Sequence, residues 1–328
     1  MIPNLVMTCA GGRMMPGLIP ALREHRDFAS YWGIDLRPLS ESPFDVTLVG
    51  LAASEPEFAA HLLDLLEHAT PAMLVLGADE EAEALAPFAG RFRERGILAN
   101  LSSPNAVAVM RDKVRTAELV GGGFTHSVAS VQSYQHLLTA LDFPRRPVAL
   151  KARTGRGRRD VYCITPDPRE KRGDIAPDIS AARGAEIVAE AAPGSFLMMP
   201  WLEGRAVTCD ILASNGELVY AIRRDWMQVW RFPFPGQIVS RDAELEERLV
   251  PLCRALNLHG LVDADFIDDR DLGLVLLELN PRPSGSMVAA IRAGIPLLRD
   301  LNAVLSGSAV MQPRLNGSLQ VQQDFSVV

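Results

Sequence analysis

Hydrophobic residues recur along the chain in two rhythms, and their alternation predicts most of its elements. Apolar runs at 5–7, 28–36, 46–51 and 73–77 have the length and composition of buried strands. Between them, residues 14–22 and 58–68 read as helices, and Phe58, Leu62, Leu65 and Leu66 share one face of the second. Asp79-Glu80-Glu81 follows the fourth run at a helix start, where acidic side chains suit the dipole. Strands and helices alternating in this way predict an α/β unit with a parallel sheet, ending near residues 102–105.

Beyond Ala106 the pattern changes. A helix is expected to run through Arg111, Asp112 and Lys113 to a joint at Gly121-Gly122-Gly123. Residues 147–151 form a strand that delivers Lys151 to the basic glycine loop 153–159. Residues 195–199 and 205–212 are further strands, and Asn215-Gly216 turns the chain into another at 218–222. The runs 261–267 and 274–279 read as paired strands around an acidic turn at 268–271. Residues 284–305 are expected to be helical, and the last two dozen residues to be loosely organised.

At 328 residues the chain is long enough for two or three compact units. Its 48% hydrophobic and 22% charged residues are those of a water-soluble globular protein, and a net charge of −7 argues against a general nucleic-acid binder. The four cysteines form no CxxC pair, as expected of buried side chains in a reducing compartment. Neither a signal peptide nor an apolar run near the roughly 20 residues of a membrane span is visible, so a cytoplasmic location is expected.

The chemistry concentrates in Glu278-Leu279-Asn280-Pro281-Arg282. On a strand, Glu278 and Asn280 point to the same face, and an acid beside an amide suits a hard cation with oxygen ligands. A hairpin centred near Asp271 brings Asp265 opposite Glu278, with Asp263 two residues earlier on the same face. Two carboxylates so close repel unless a cation lies between them. The alternative reading makes both acids water-facing residues of an edge strand. Lys151, followed by Gly155 and Gly157 among Arg153, Arg156, Arg158 and Arg159, could cradle phosphate oxygens or be a solvated basic hairpin.

The order of these motifs is more telling than any one of them. Lys113, Lys151 before a glycine loop, Trp201-Leu202-Glu203-Gly204-Arg205 leading to Asp210, and Asp265 before Glu278-Leu279-Asn280-Pro281-Arg282 follow in sequence. From about 103 to 307 this resembles the ATP-grasp superfamily, in particular its short carboxylate–amine ligases and carbamoyl-phosphate-synthetase-like proteins. The resemblance implies a Rossmann-like domain at 1–104, a two-subdomain ATP-grasp fold at 105–307 with its lid at about 125–197, and a tail at 308–328. It implies ATP held by Lys113, Lys151, Gly155, Gly157 and Asp210, with its adenine edge against the hinge residues Met199, Trp201 and Leu202. Asp265, Glu278 and Asn280 would bind Mg²⁺, for which Mn²⁺ could substitute. Arg282, with Arg223 or Arg224, would stabilise the transferring phosphoryl group.

The implied reaction activates a carboxylate as an acyl-phosphate and joins it to an amine or similar nucleophile. Ala152, Arg158 and Asp160 replace the usual Pro, Ser and Gly of the glycine loop, a departure that also suits a nucleotide-binding sensor or partner subunit without turnover. Small-molecule carboxylate and amine partners are expected, without nucleic acid or membrane, in a chain for which a homodimer is the base-rate assembly. Arg13 and Asp79 to Glu81 are candidate substrate contacts or solvated helix ends. Trp226, Trp230, Phe232 and Phe234 are candidate pocket or packing residues. His126, His136 and His259 lack partners at metal spacing.

Overall fold

The computed structural model describes residues 2–155, 160–168, 176–227, 236–315 and 317–322. These residues form three sheets. The first is parallel throughout and comprises β1 (Asn4–Thr8), β2 (Tyr31–Asp35), β3 (Val46–Val49), β4 (Ala72–Val75) and β5 (Ile97–Ala99), in the order β3-β2-β1-β4-β5. Adjacent Leu5 and Val6 are both fully buried, as a strand covered on both faces requires. The helices Met15–His25, Phe58–Leu65, Asp79–Leu85 and Ala89–Glu94 connect these strands. The helix expected over 58–68 stops at Leu65 and gives way to a 3₁₀ turn at Glu67–Ala69. Pro71 holds Thr70 extended, which ends helical continuation.

The single helix expected through Arg111 to Lys113 is two, Pro104–Met110 and Lys113–Leu119. Asp112 causes the break. Its backbone is extended and its carboxylate accepts the N–H groups of Val114 and Arg115, so it caps the second helix. Lys113 thereby becomes a first-turn residue.

The second sheet contains β6 (His126–Val128), β7 (Val148–Ala152), β8 (Val161–Ile164), β9 (Asp178–Ile179) and β10 (Phe196–Pro200), in the order β6-β10-β7-β8-β9. One face packs Val148, Leu150 and Met198 with Tyr134 and Val188 from the helices Val131–Ala140 and Ala181–Glu190. The other face turns Ala149, Leu197 and Met199 toward Val114 and Val275, which closes the hinge region onto the third sheet.

That third sheet is antiparallel: β11 (Gly204–Ser214), β12 (Glu217–Trp226), β13 (Gln237–Ser240), β14 (Gly260–Asp269), β15 (Gly273–Asn280) and β16 (Leu319–Val321), in the order β15-β14-β11-β12-β13-β16. One face packs Val207, Cys209, Ile211 and Ala264 against the helix Ala243–Leu256. The other is divided. Leu212, Tyr220, Ile222 and Leu261 pack with the helices Val288–Arg292 and Leu297–Leu305, whereas the far end carries polar side chains. The stretch expected to be one helix over 284–305 is interrupted around Gly294, whose φ is +86°. The tail is better organised than expected, since 319–321 extend the sheet beyond β13; residues 323–328 lie outside the described residues. No helix among the described residues is long and apolar enough to cross a membrane.

Asn100, just past β5, ties the first sheet to the third. Its side-chain amide donates to the Leu261 carbonyl at 2.8 Å and its carbonyl accepts the Leu261 N–H at 2.9 Å. Both groups are buried, and Gly260 lies so close, at φ +108°, that a Cβ there would collide with the Asn100 side chain. Asn100→Ala strands a donor and an acceptor away from water, and should cost about 3 kcal/mol, measured as a lowered urea midpoint.

Candidate active site

Strand register assembles the polar end of the third sheet. Asp265 pairs with Glu278 and Asp263 with Asn280 across β14 and β15, while Thr208 and Asp210 of β11 pair with Asp265 and Asp263. Arg224 of β12 pairs with Thr208. Directly paired residues share a face, as do residues two apart, so all seven project on one side. The intervening Cys209, Ala264 and Leu279 supply the apolar core behind them.

Between Glu278 and Leu276 the register slips, leaving Leu277 as an extra residue on β15. Lys151, at the end of β7, donates to the Leu277 carbonyl at 3.2 Å. Lys113 lies 3.4 Å from the Glu278 carboxylate and donates to the Gly155 carbonyl at 2.8 Å. Gly155 has φ +113°, a conformation that glycine adopts without strain. Arg153 grips the Asp112 carboxylate with two bonds of 2.8 and 2.6 Å, and its carbonyl accepts the Lys113 N–H at 3.1 Å. These contacts lace the helix bearing Lys113 to the end of the strand bearing Lys151.

The electrostatics follow from burial and like-charge proximity. Burial, and then the Glu278 charge, push the Asp265 carboxyl up to about 6, against the hydrogen bond that Thr208 donates at 2.9 Å. Burial lowers the Lys151 ammonium to about 8; the Lys113 charge adds to this, while Glu278 and Asp265 oppose it. Trp226 donates to the Thr208 hydroxyl at 2.9 Å and orients it.

A second, deeper layer fixes the row. Arg224 is fully buried, donates to both Asp210 oxygens at 2.7 and 2.9 Å, and lies 3.5 Å from Asp263. It also donates to Gln237 at 3.0 Å and Ser286 at 2.5 Å. Burial raises the Asp210 and Asp263 carboxyls, and the Arg224 charge restrains both. The Asn280 amide nitrogen donates to Asp263 at 3.1 Å, which leaves its carbonyl oxygen as the acceptor for another ligand.

The residues marked out by sequence therefore separate into groups. Lys113, Lys151, Gly155, Asp265, Glu278 and Asn280 converge. Arg282 also lies near; burial lowers and the surrounding carboxylates raise its proton affinity, with a net upward shift, and its Nε is 2.8 Å from the buried Asp79. Arg223 does not join them. It projects on the opposite face, where Asp225, Asp242 and Asp268 bind it at 2.9, 2.9 and 3.1 Å. Asp210 is on the cluster's face, but it is fully buried with both oxygens taken by Arg224, so it has no surface to offer a nucleotide. At the hinge, the Met199 side chain is buried, Trp201 and Leu202 are half-buried, and the Trp201 N–H is bonded to the Pro147 carbonyl at 3.0 Å. Gly157, with Arg156, Arg158 and Arg159, and Trp230, Phe232 and Phe234 lie outside the described residues.

Sequence reasoning missed Thr208, the capping role of Asp112 and the pairing of Asp79 with Arg282. Only Asp112 carried a local signal, an N-cap residue type directly before the helix.

Asp265, Glu278 and the Asn280 carbonyl offer oxygen donors only, a set that fits a hard divalent cation such as Mg²⁺. Among the described residues no three or more His, Cys, Asp or Glu side chains gather into a metal cage. A cation here would complete its shell with phosphate oxygens or water.

Comparison with known proteins agrees with this architecture. Residues 193–324 match the family model described as ATP-grasp in the biosynthetic pathway with Ter operon. The biotin carboxylase–β,γ-ATP complex of Campylobacter jejuni superposes with a TM-score of 0.67 at 18% identity, over 95% of this chain and 72% of that one. The biotin carboxylase domain of Hydrogenobacter thermophilus 2-oxoglutarate carboxylase, with MgADP and bicarbonate, gives 0.69 at 18% identity, over 97% and 74%. The Staphylococcus aureus N5-carboxyaminoimidazole synthetase–ADP complex gives 0.64 at 14% identity, over 94% and 78%. Among curated proteins none matches the chain significantly. The chain has the ATP-grasp fold, as its resemblance to that superfamily implied.

Asp265 binds its proton more tightly in the folded than in the unfolded chain, so its contribution to stability is full below its ordinary 3.8 and is lost as pH rises through about 6. Asp265→Asn should flatten this decline and stabilise the ligand-free protein at about pH 7.5, by an amount on the order of 2–3 kcal/mol, as read from denaturation midpoints across pH.

Proposed function

We propose that this protein is an ATP-dependent ligase that activates a carboxylate as an acyl-phosphate and joins it to an amine, releasing ADP and phosphate. The observation carrying this reading is the pairing of Asp265 with Glu278 inside a ring of cations, Lys113, Lys151 and Arg282. Such a ring matches the β- and γ-phosphates of a nucleotide, and the carboxylate pair matches the cation that accompanies them.

In this reading Asp265, Glu278 and the Asn280 carbonyl hold Mg²⁺, which when bound neutralises phosphate charge; Mn²⁺ offers similar ligand chemistry. Lys151, fixed on the Leu277 carbonyl, presents its charge to phosphate oxygens. Lys113 exchanges its Glu278 and Gly155 contacts for phosphate. A substrate carboxylate oxygen attacks the γ-phosphorus as the bond to ADP breaks. The amine nitrogen then attacks the acyl carbon, phosphate departs, and the nitrogen loses a proton. Arg282, steadied by Asp79, stabilises the charge that develops on the phosphoryl oxygens. The half-buried Trp201 and Leu202, packed on the buried Met199, Leu197 and Val275, give the hinge side hydrocarbon surface for an adenine ring.

Glu278→Gln should lower ADP release by about 10²-fold or more while leaving the melting profile cooperative. The assay offers ATP, Mg²⁺ and a panel of carboxylates and amines, with mass spectrometry of products. Unchanged turnover, or nucleotide binding without ADP release from any pair in wild-type protein, would overturn the reading.

The pH profile provides a second test. Asp265 must be ionised and Lys151 charged, so kcat/KM for ATP should fall as pH drops through about 6 and fall again as it rises through about 8. Lys151→Arg should remove the alkaline fall, because an arginine stays charged.

A further inference from the structure

A sizeable concavity lies in the first sheet, and none of the cluster's carboxylates lines it. It is a cavity of about 640 Å³ at the C-terminal ends of β1, β2, β3 and β4, where Thr8, Asp35, Gly50 and Ala78 mark its floor. The strand order reverses between β1 and β4, and the crevice outside the strand ends at such a reversal is where open α/β sheets take ligands. Its volume falls within the range of small-molecule pockets.

The walls decide the ligand's chemistry. Ile34, Leu51, Phe58, Leu62 and Leu65 make one side apolar, and Leu36 at the mouth is 59% exposed, an apolar side chain that folding alone does not cover. Asp35, Glu80, Glu81 and Glu83 line the same space, together with His61. Among the described lining residues there is no lysine or arginine. From outside, Arg111 lies 3.4 Å from Glu83 and 3.9 Å from Glu80 and partly offsets them. Glu81 also braces the sheet, because one of its oxygens accepts from the Thr8 hydroxyl at 2.5 Å and from the Gly77 and Ala78 N–H groups at 3.2 and 3.1 Å, joining the ends of β1 and β4. One oxygen of Asp35 accepts the Gly11 N–H at 2.8 Å, which fixes its carboxylate in the cavity lining. A pocket so charged repels phosphates and carboxylates, so it suits neither ATP nor the acid substrate of a ligase.

We propose that this cavity is a second ligand site, which takes a primary amine on an apolar body. The ammonium group meets Asp35 and the acidic helix start, and the hydrocarbon lies along the wall from Ile34 to Leu65. The inference does not depend on the reaction proposed above, because binding is read without ATP or turnover.

Calorimetric titration of the full chain with 2-phenylethylamine, 2-phenylethanol and 3-phenylpropanoate tests it. One saturable site for the amine is expected, with the alcohol and the carboxylate each about tenfold weaker or more, the scale of a lost charge-assisted hydrogen bond. Asp35→Asn, which keeps an acceptor for Gly11, should weaken the amine by a similar factor. Ala53→Trp, which places an indole in the cavity from the loop after β3, should abolish amine binding while thermal unfolding stays as cooperative as in wild type. Absence of saturable amine binding, equal binding of the carboxylate, or amine binding unaltered in both variants would overturn the proposal.

Discussion

Like charge held at close range is the condition to which the rest of the third sheet answers. Asp265 and Glu278 face each other across one strand pair, and the surrounding protein withholds from the half-buried Asp265 much of the water that would screen it. The protein relieves the strain from three directions. Lys113 comes from a helix start, Lys151 from the end of a strand in another sheet, and Arg282 from the turn after β15. None neutralises the pair completely, since Asp265 retains a raised proton affinity and Lys151 a lowered one. A cluster left in this condition has favourable energy to give to a ligand that brings both a cation and phosphate oxygens.

The fold makes that possible by dividing one sheet face. Behind the row, the alternate residues of the same strands build the core against the helix Ala243–Leu256. Beside it, the same face turns apolar and packs under the helices near the C-terminus. The polar end is held on long antiparallel strands rather than on loops, which keeps the positions of its carboxylates well defined. The lysines arrive instead through joints: the Asp112–Arg153 pair and the register slip at Leu277 set where they end.

Much of this was readable in the chain because it rests on short-range rules. Period-two alternation placed Glu278 and Asn280 on one face, and the acidic turn before β15 set Asp265 opposite Glu278. The order of the lysine, glycine-loop and ELNPR motifs indicated the ATP-grasp fold, although no single motif would have done so. What the chain did not reveal depends on long-range geometry. Arg223 and Arg224 are neighbours on one strand and therefore face opposite ways; only the register of β12 against β11 decides which one shares the face of Asp265. Asp210 looked available until Arg224 was seen to occupy it, and Arg282 meets Asp79 because two sheets pack together. Lys113 was expected within one helix continuous through Arg111, but that helix stops at Met110 and Asp112 starts a second, of which Lys113 is the first residue.

The sealed Arg224, Asp210 and Asp263 group has an evolutionary consequence. Its members come from three strands, and removing one leaves buried charge without its counterpart, a loss of about 3–5 kcal/mol for a typical buried pair. Such a loss consumes much of the stability of an ordinary domain. Single changes at these positions are therefore penalised even where a concerted change to an apolar trio would be tolerated. The group should behave as one inherited character, with strong epistasis among positions 210, 224 and 263, while the surface around it drifts freely.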